Sequence, residues 1–193
     1  MRIIGGEARG RRLIAPDGFD TRPTADKTRE ALFSILMREV PGAHVLDLFA
    51  GTGALALEAL SRGAESAVMC DFSPKAKAAI LRNTETVLKG RTGAEFIYGD
   101  YKKALAQLAG RRFDIVFLDP PYALNEAYAY TLSFLQRHNM LSEDGIIIAE
   151  RAKDRVLELP EYAVIYDSRT YRDTCLDFIR LETSDEGDVP GQL

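Results

Sequence analysis

The chain has 193 residues, of which 46% are apolar and 28% charged, with 15 glycines and 8 prolines. That excludes collagen, coiled coil and wholesale disorder, and the length suits one domain with a core that needs no disulfide staples. The net charge of −4 argues against a uniformly basic nucleic-acid binder, while two cysteines, Cys70 and Cys175, exclude a disulfide scaffold and fit a reducing compartment. No apolar run approaches the roughly 18 residues of a membrane span, and MRIIGGEARGRRL lacks the apolar stretch of a signal peptide. A soluble cytoplasmic protein is the expectation.

The average charge hides a gradient. Residues 1–29 carry Arg2, Arg9, Arg11, Arg12, Arg22, Lys27 and Arg29 against Glu7, Asp17, Asp20 and Asp26. The far end holds Glu182, Asp185, Glu186 and Asp188 with no basic residue, and residues 183–193 read as an acidic tail. Arg2-Ile3-Ile4 and Arg11-Arg12-Leu13-Ile14 flank Gly5, Gly6 and Gly10, which predicts a small basic β-hairpin within residues 1–22. Thr24 is placed to cap a helix through about Val40, with Asp26 in its first turn and Phe33, Leu36, Met37 and Val40 on its buried face.

From there strands and helices alternate. Strands are predicted over residues 45–49, 66–70, 95–98, 114–118 and 145–150, with helices over 53–62, 73–89, 101–108 and 125–137 between them. Two further runs, 163–167 and 176–181, are too close for a crossover helix and should pair antiparallel as a hairpin at the sheet edge. The predicted fold is α/β: a Rossmann-like, doubly wound, mostly parallel sheet of seven strands ending in an antiparallel hairpin, over residues 23–182.

The run Val45-Leu46-Asp47-Leu48-Phe49-Ala50-Gly51-Thr52-Gly53 reads as strand, tight glycine turn and helix start, and Ala56 completes a G-x-G-x-x-A pattern. Alone this could be a dinucleotide site. The carboxylates around it point elsewhere. Asp47 sits where a pyrophosphate would be repelled, and Asp71, Asp100 and Asp119 end the next three strands. Each alone could be a helix cap. Together, at one sheet edge, they suit a ligand with ribose hydroxyls, an ammonium and a sulfonium, namely S-adenosyl-L-methionine.

Phe113-Asp114-Ile115-Val116-Phe117-Leu118 leads into Asp119-Pro120-Pro121-Tyr122. Two prolines hold the backbone extended and remove two N–H donors while leaving their carbonyls as acceptors. A base amine needs an acceptor for each N–H and a flat surface for its ring. Asp119 and the Pro120 carbonyl can supply the acceptors and Tyr122 the stacking face. Such bonds free the nitrogen lone pair for attack on a methyl group, with Asp119 as proton acceptor.

On these residues the sequence resembles the amino-methyltransferases of nucleobases. It is most similar to the RsmD family, which methylates the N2 amine of a guanine in 16S rRNA. Arg2-Ile3-Ile4-Gly5-Gly6, Gly10-Arg11-Arg12-Leu13, Thr21-Arg22-Pro23-Thr24 and Arg29-Glu30-Ala31-Leu32-Phe33-Ser34-Ile35-Leu36 carry the likeness, with residues 45–64 and 113–122. It covers about residues 1–182. The resemblance implies a monomeric class I methyltransferase acting during small-subunit assembly. It implies cofactor contacts from Asp47, Phe49, Ala50, Gly51 and Gly53, ribose and adenine contacts from Asp71 and Phe72, and contacts near the adenine amine from Asp100 and Tyr101. With no segment to spare for a target-recognition domain, RNA docking falls to Arg2, Arg9, Arg11 and Arg12 on the hairpin, with Arg22 and Arg29 behind them.

His44 and His138 are not clustered with each other or with the cysteines, so no metal is expected. Asn83 is open between a cap and an exposed position, and Tyr171-Arg172-Asp173 reads only as a turn. The rivals are a DNA adenine-N6 or cytosine-N4 methyltransferase, a nicotinamide-dependent oxidoreductase, which would leave Asp119–Tyr122 unexplained, and a non-catalytic RNA-binding assembly factor.

Overall fold

The computed structural model describes residues 1–16, 23–121 and 123–182. The expectations placed on Arg22, on Tyr122 and on the tail 183–193 lie outside the described residues, as does the capping side chain of Thr24. The elements in chain order are α1 (Pro23–Ile35), β1 (His44–Asp47), α2 (Ala54–Ser61), β2 (Ser66–Asp71), α3 (Pro74–Leu88), β3 (Ala94–Tyr98), α4 (Tyr101–Gln107), β4 (Phe113–Leu118), α5 (Glu126–Arg137), β5 (Leu141–Ala152), β6 (Ala163–Tyr171) and β7 (Thr174–Leu181). No helix among the described residues is long and apolar enough to cross a membrane.

The seven strands form one sheet in the order β3-β2-β1-β4-β5-β7-β6. The first five are parallel, and β7 runs antiparallel to both β5 and β6. The late hairpin is therefore present, but its second strand lies inside the sheet and its first forms the edge. Pairing with β7 also lengthens β5, whose register from Ile147↔Ile179 to Ala152↔Thr174 extends it past the expected end at Glu150.

Strands buried on both faces must be apolar throughout, and Ile115-Val116-Phe117-Leu118 is so. Successive side chains divide between two cores. Val45, Ile115 and Phe117 join Phe33, Leu57 and Ile80 on the side of α1, α2 and α3. Leu46, Val116 and Leu118 join Leu105, Leu132 and Leu135 on the side of α4 and α5. Cys70 and Cys175 are free and buried, and burial pushes the Cys70 thiol up to about 12. His44 Nδ1 shares a 2.8 Å hydrogen bond with Ser66 Oγ, and His138 stacks on Phe134.

Helix α1 stops at Ile35, short of the expected Val40, and a looser turn continues with Val40 N donating to Leu36 O at 3.1 Å. The change of winding keeps Phe33, Leu36 and Val40 buried but turns Met37 out to 66% exposure, so Met37 is not a core residue.

The N-terminal segment is a loop closed by a single antiparallel bridge, Arg2↔Arg12, rather than a hairpin of two strands. Side chains of α2 and α3 hold it down. Glu58, fully buried, accepts from Ile4 N at 2.8 Å and Gly5 N at 2.7 Å, and Ser61 Oγ accepts from Ala8 N at 2.9 Å. Gly6 packs so closely on α2 that a Cβ there would lie 1.7 Å from the Ser61 carbonyl oxygen, at φ +72. Asn83, buried in α3, accepts from Ile14 N at 2.7 Å and donates to Ile14 O at 2.9 Å. It is neither a cap nor exposed.

Candidate active site

Between β1 and β4 the chain winds away in opposite directions, and the carboxyl ends of the strands there open into a cavity of about 720 Å³. This is the position where open α/β sheets bind ligands. Its floor carries Asp47, the glycine loop Phe49-Ala50-Gly51, and Asp119-Pro120-Pro121. Asp71 and Phe72 form one wall, and Met1, Thr28, Arg29 and Leu32 bring the N-terminal segment and α1 to another. Glu150, Arg151 and the turn Tyr171–Thr174 close the far side.

Asp47 is 2% exposed, and its Oδ2 has no hydrogen-bond partner among the described residues. Burial, with Asp71 adding to it, raises its carboxyl to about 7, against the opposing pull of N–H bonds from Phe49 and Ala56. An orphaned buried acceptor facing a cavity calls for a donor from a ligand. The glycine turn that follows owes its shape to Gly53, at φ +76 in the left-handed region, where a Cβ would lie 3.0 Å from Met69 Sδ. Gly53 is buried beneath the loop and is not part of the cavity wall.

Asp71 braces the loop from the side. Its Oδ2 accepts from Gly51 N at 2.9 Å and its Oδ1 from Ser73 N at 2.8 Å. Phe72, next to it, is 60% exposed on the cavity wall and offers a flat apolar face. Asp100 and Tyr101 are placed otherwise. Asp100 caps α4, accepting from Lys102 N at 2.9 Å, and Tyr101 is buried with its ring 5.2 Å from Phe49. Neither lines the cavity. Because β3 is the edge strand, its end stands one strand further from the winding reversal than that of β2.

Asp119 is exposed to solvent through the cavity, although protein crowds its carboxyl from the sheet side. Burial raises its carboxyl well above the ordinary range, and the charges of Glu150 and Asp47 raise it further. Pro120 is buried and Pro121 exposed, and the Pro121 carbonyl is taken by Leu124 N at 2.8 Å. Among the described residues nothing donates to the Pro120 carbonyl. Three carboxylates of the sequence reading, Asp47, Asp71 and Asp119, thus line one cavity together with one that it did not name, Glu150, while Asp100 stands outside that lining.

The arginines divide into two groups. Arg2, Arg9 and Arg12 are exposed on the N-terminal loop. Arg11 is half-buried and donates to the Thr86 carbonyl at 3.2 Å and to that of Val87, tying the loop to the end of α3. Arg29 is 5% exposed, donates to the Arg2 carbonyl at 2.6 Å and to Asp26 Oδ1 at 3.0 Å, and stands 3.9 Å from Glu58. A guanidinium so enclosed is no surface phosphate contact; it joins α1 to the N-terminal loop at the cavity rim. Among the described residues no metal-holding group of His, Cys, Asp and Glu is present.

The strand order, the glycine turn after β1 and the Asp-Pro-Pro exit after β4 define a class I methyltransferase. The family described as conserved hypothetical protein 95 matches residues 1–180. YlbH of Bacillus subtilis, provisionally named an rRNA methyltransferase, is 42% identical over 163 residues, spanning 83% of this chain and 86% of its own length. Ribosomal RNA small subunit methyltransferase D of Escherichia coli is 37% identical over 150 residues, with 78% and 74% covered. Among solved structures, yhhF of Escherichia coli, provisionally titled a methyltransferase, superposes with a TM-score of 0.79 at 32% identity over 94% of this chain and 98% of its own. The chain belongs to the conserved hypothetical protein 95 family, that of the RsmD-type methyltransferases.

Proposed function

We propose that this protein transfers a methyl group from S-adenosylmethionine to the exocyclic N2 amine of a guanine in 16S rRNA. It would act as a cytoplasmic monomer on an assembling small subunit. The observation that carries the reading is the exit Asp119-Pro120-Pro121 opening into the same cavity as the orphaned Asp47 carboxylate and the exposed Phe72 ring. The names of the relatives support ribosomal RNA as substrate.

The cofactor is S-adenosylmethionine, and the residues present fit it. Asp47 Oδ2 is placed for a cationic or hydroxyl donor, Asp71 for the ribose and Phe72 for the adenine ring. When bound, the cofactor supplies an electrophilic methyl carbon on a sulfonium, which departs as a neutral thioether. Asp119 and the Pro120 carbonyl hold the two N–H groups of the target amine, and Tyr122, on sequence alone, takes the stacking role. Holding the amine this way keeps its lone pair out of conjugation and aimed at the methyl carbon. The proton released on transfer passes to Asp119, whose raised pKa makes it a better base than an ordinary carboxylate. Arg2, Arg9 and Arg12 lie on the loop whose first residue, Met1, lines the cavity, and in this reading they hold the phosphates of the RNA.

The test is tritiated methyl transfer to small subunits from a strain lacking the enzyme, followed by nucleoside analysis. Label in N2-methylguanosine is expected with the wild type. Asp119→Ala should abolish it while leaving cofactor affinity within a few-fold. Label in N6-methyladenine or N4-methylcytosine would retain the fold and cofactor and replace the target. Cofactor binding with no label on RNA or DNA would favour a non-catalytic assembly factor.

A further inference from the structure

Beside Asp119 the sheet places a second carboxylate that the chemistry above does not use. Leu118 of β4 pairs in parallel register with Ala149 of β5, so Asp119 and Glu150 follow at the same level of adjacent strands, whose axes lie about 4.8 Å apart. Both line the cavity. Glu150 is held through its backbone, paired with Leu176 of β7 and accepting from Tyr128 Oη at its carbonyl, and among the described residues its carboxylate has no hydrogen-bond donor. The neighbouring arginine does not neutralise it. Arg151 is turned to Asp177, with Nε donating to Oδ2 at 2.5 Å and Nη2 to Oδ1 at 3.2 Å. The buried, unpartnered Oδ2 of Asp47 faces the same cavity, which is therefore built for an occupant rich in donors.

We propose that Glu150 selects the target base, accepting the ring N1–H of guanine while Asp119 accepts the adjacent N2 amine. This deepens the guanine-N2 reading above and rests on it. Adenine, cytosine and guanine all offer an exocyclic amine, so Asp119-Pro120 alone does not separate them. Their adjacent ring nitrogens differ: N1 of guanine carries a proton, whereas N1 of adenine and N3 of cytosine present a lone pair. A carboxylate at that point completes a hydrogen bond with guanine and opposes a lone pair in the other two. A site built around such a bond discriminates far more strongly than shape does, because the mismatched partner leaves a desolvated charge unpaired.

The experiment uses 2-aminopurine, which keeps the N2 amine of guanine but has an unprotonated N1. Wild-type enzyme first marks its nucleotide in unmethylated small subunits. An rRNA fragment around that nucleotide, assembled with ribosomal proteins where naked RNA is inactive, is then made with guanine or 2-aminopurine at the site. Wild type should prefer guanine by about 100-fold or more in kcat/KM. Glu150→Gln, whose amide can accept from a protonated N1 or donate to an unprotonated one, should narrow the preference at least about tenfold, mainly by raising activity on 2-aminopurine. Because 2-aminopurine also lacks O6, the change in preference between the two enzymes is the readout, not the preference itself. An unchanged preference in a variant that binds cofactor normally would overturn the role of Glu150. If Glu150→Gln does not fold, Glu150→Asp keeps the acceptor but shortens its reach, and should weaken guanine methylation while retaining the preference; wild-type activity in Glu150→Asp would also overturn the role. Label on N2 of guanine together with an unchanged preference refutes this inference alone, whereas wild-type label on adenine or cytosine refutes the guanine reading and this inference with it.

Discussion

Asn83 and Thr52 are 31 residues apart in sequence, and the Asn83 side-chain amide donates to the Thr52 carbonyl at 2.9 Å beneath the glycine loop. The same side chain brackets Ile14 through its backbone N–H and carbonyl. One buried amide thus joins the loop that faces the cofactor cavity to the N-terminal segment that carries the exposed arginines. Three backbone groups depend on it; the bond to the Thr52 carbonyl is buried and has no alternative in water, whereas those to the exposed Ile14 are partly covered.

Asn83→Ala should therefore lower stability by about 3 kcal/mol, the cost of leaving buried groups unsatisfied. It should also weaken S-adenosylmethionine binding, although Asn83 does not line the cavity. Denaturant midpoints and calorimetric titration measure the two effects. Lost stability with wild-type affinity would mean that the loop holds its shape without the staple.

Glu58 plays the corresponding part for the first residues of the chain. It is fully buried, with Arg62 Nε at 2.7 Å and two backbone N–H donors from Ile4 and Gly5. Replacing it by Gln removes the charge but leaves Arg62 and Arg29 beside it, and breaking a buried pair in this way costs about 3–5 kcal/mol. The loop should then release before the sheet does. Trypsin cleavage at Arg9 and Arg12 should accelerate in Glu58→Gln while the remainder stays folded; equal cleavage rates would place the anchor elsewhere.

RNA affinity should separate the arginines by their surroundings. Changing Arg2, Arg9 and Arg12 to Ala removes three exposed charges, and should flatten the slope of log affinity against log salt by about 2 at about 0.7 per phosphate. Arg29→Ala should leave that slope unchanged and lower the melting temperature instead, since its guanidinium is spent on Asp26, Glu58 and the Arg2 carbonyl. A slope that moves with Arg29 and not with the exposed set would reverse the assignment.

The sequence made legible whatever depends on neighbours along the chain. The glycine turn after β1, the Asp-Pro-Pro exit after β4 and the alternation of strand and helix are local signals, and each stands where it was expected. What escaped depends on pairing between distant strands or on docked segments. Asp71 and Asp100 carry the same signature, an acid at a strand end, and only the strand order separates the cavity wall from the helix cap. Glu150 gains its meaning from the Leu118↔Ala149 register. The Tyr171–Thr174 turn reaches the cavity only because β7 lies against β5. Arg29 read as an RNA contact and Asn83 as either a cap or an exposed position, since nothing local announces that a polar side chain will be covered by a loop from elsewhere.

Cofactor binding should depend on pH through Asp47. Its carboxyl titrates at about 7 in the folded protein because burial, with Asp71 adding to it, disfavours the charge. Between the ordinary carboxylate range and about 7 the folded protein holds a proton that the unfolded chain has released. This group's contribution to stability therefore falls as pH rises through that window, with the full cost present above it. A cation bound at Oδ2 favours the ionised form and reverses the preference. S-adenosylmethionine affinity should thus climb by up to about tenfold per pH unit below 7 and level off above, with proton release on binding in the acid range. Asp47→Asn should raise the cofactor-free melting temperature at pH 8, weaken binding there, and abolish the slope below pH 7. Asp119 and Glu150 also face the cavity with raised carboxyls. A slope that persists in Asp47→Asn would assign the released proton to that pair, and the ammonium or sulfonium to their side of the cavity.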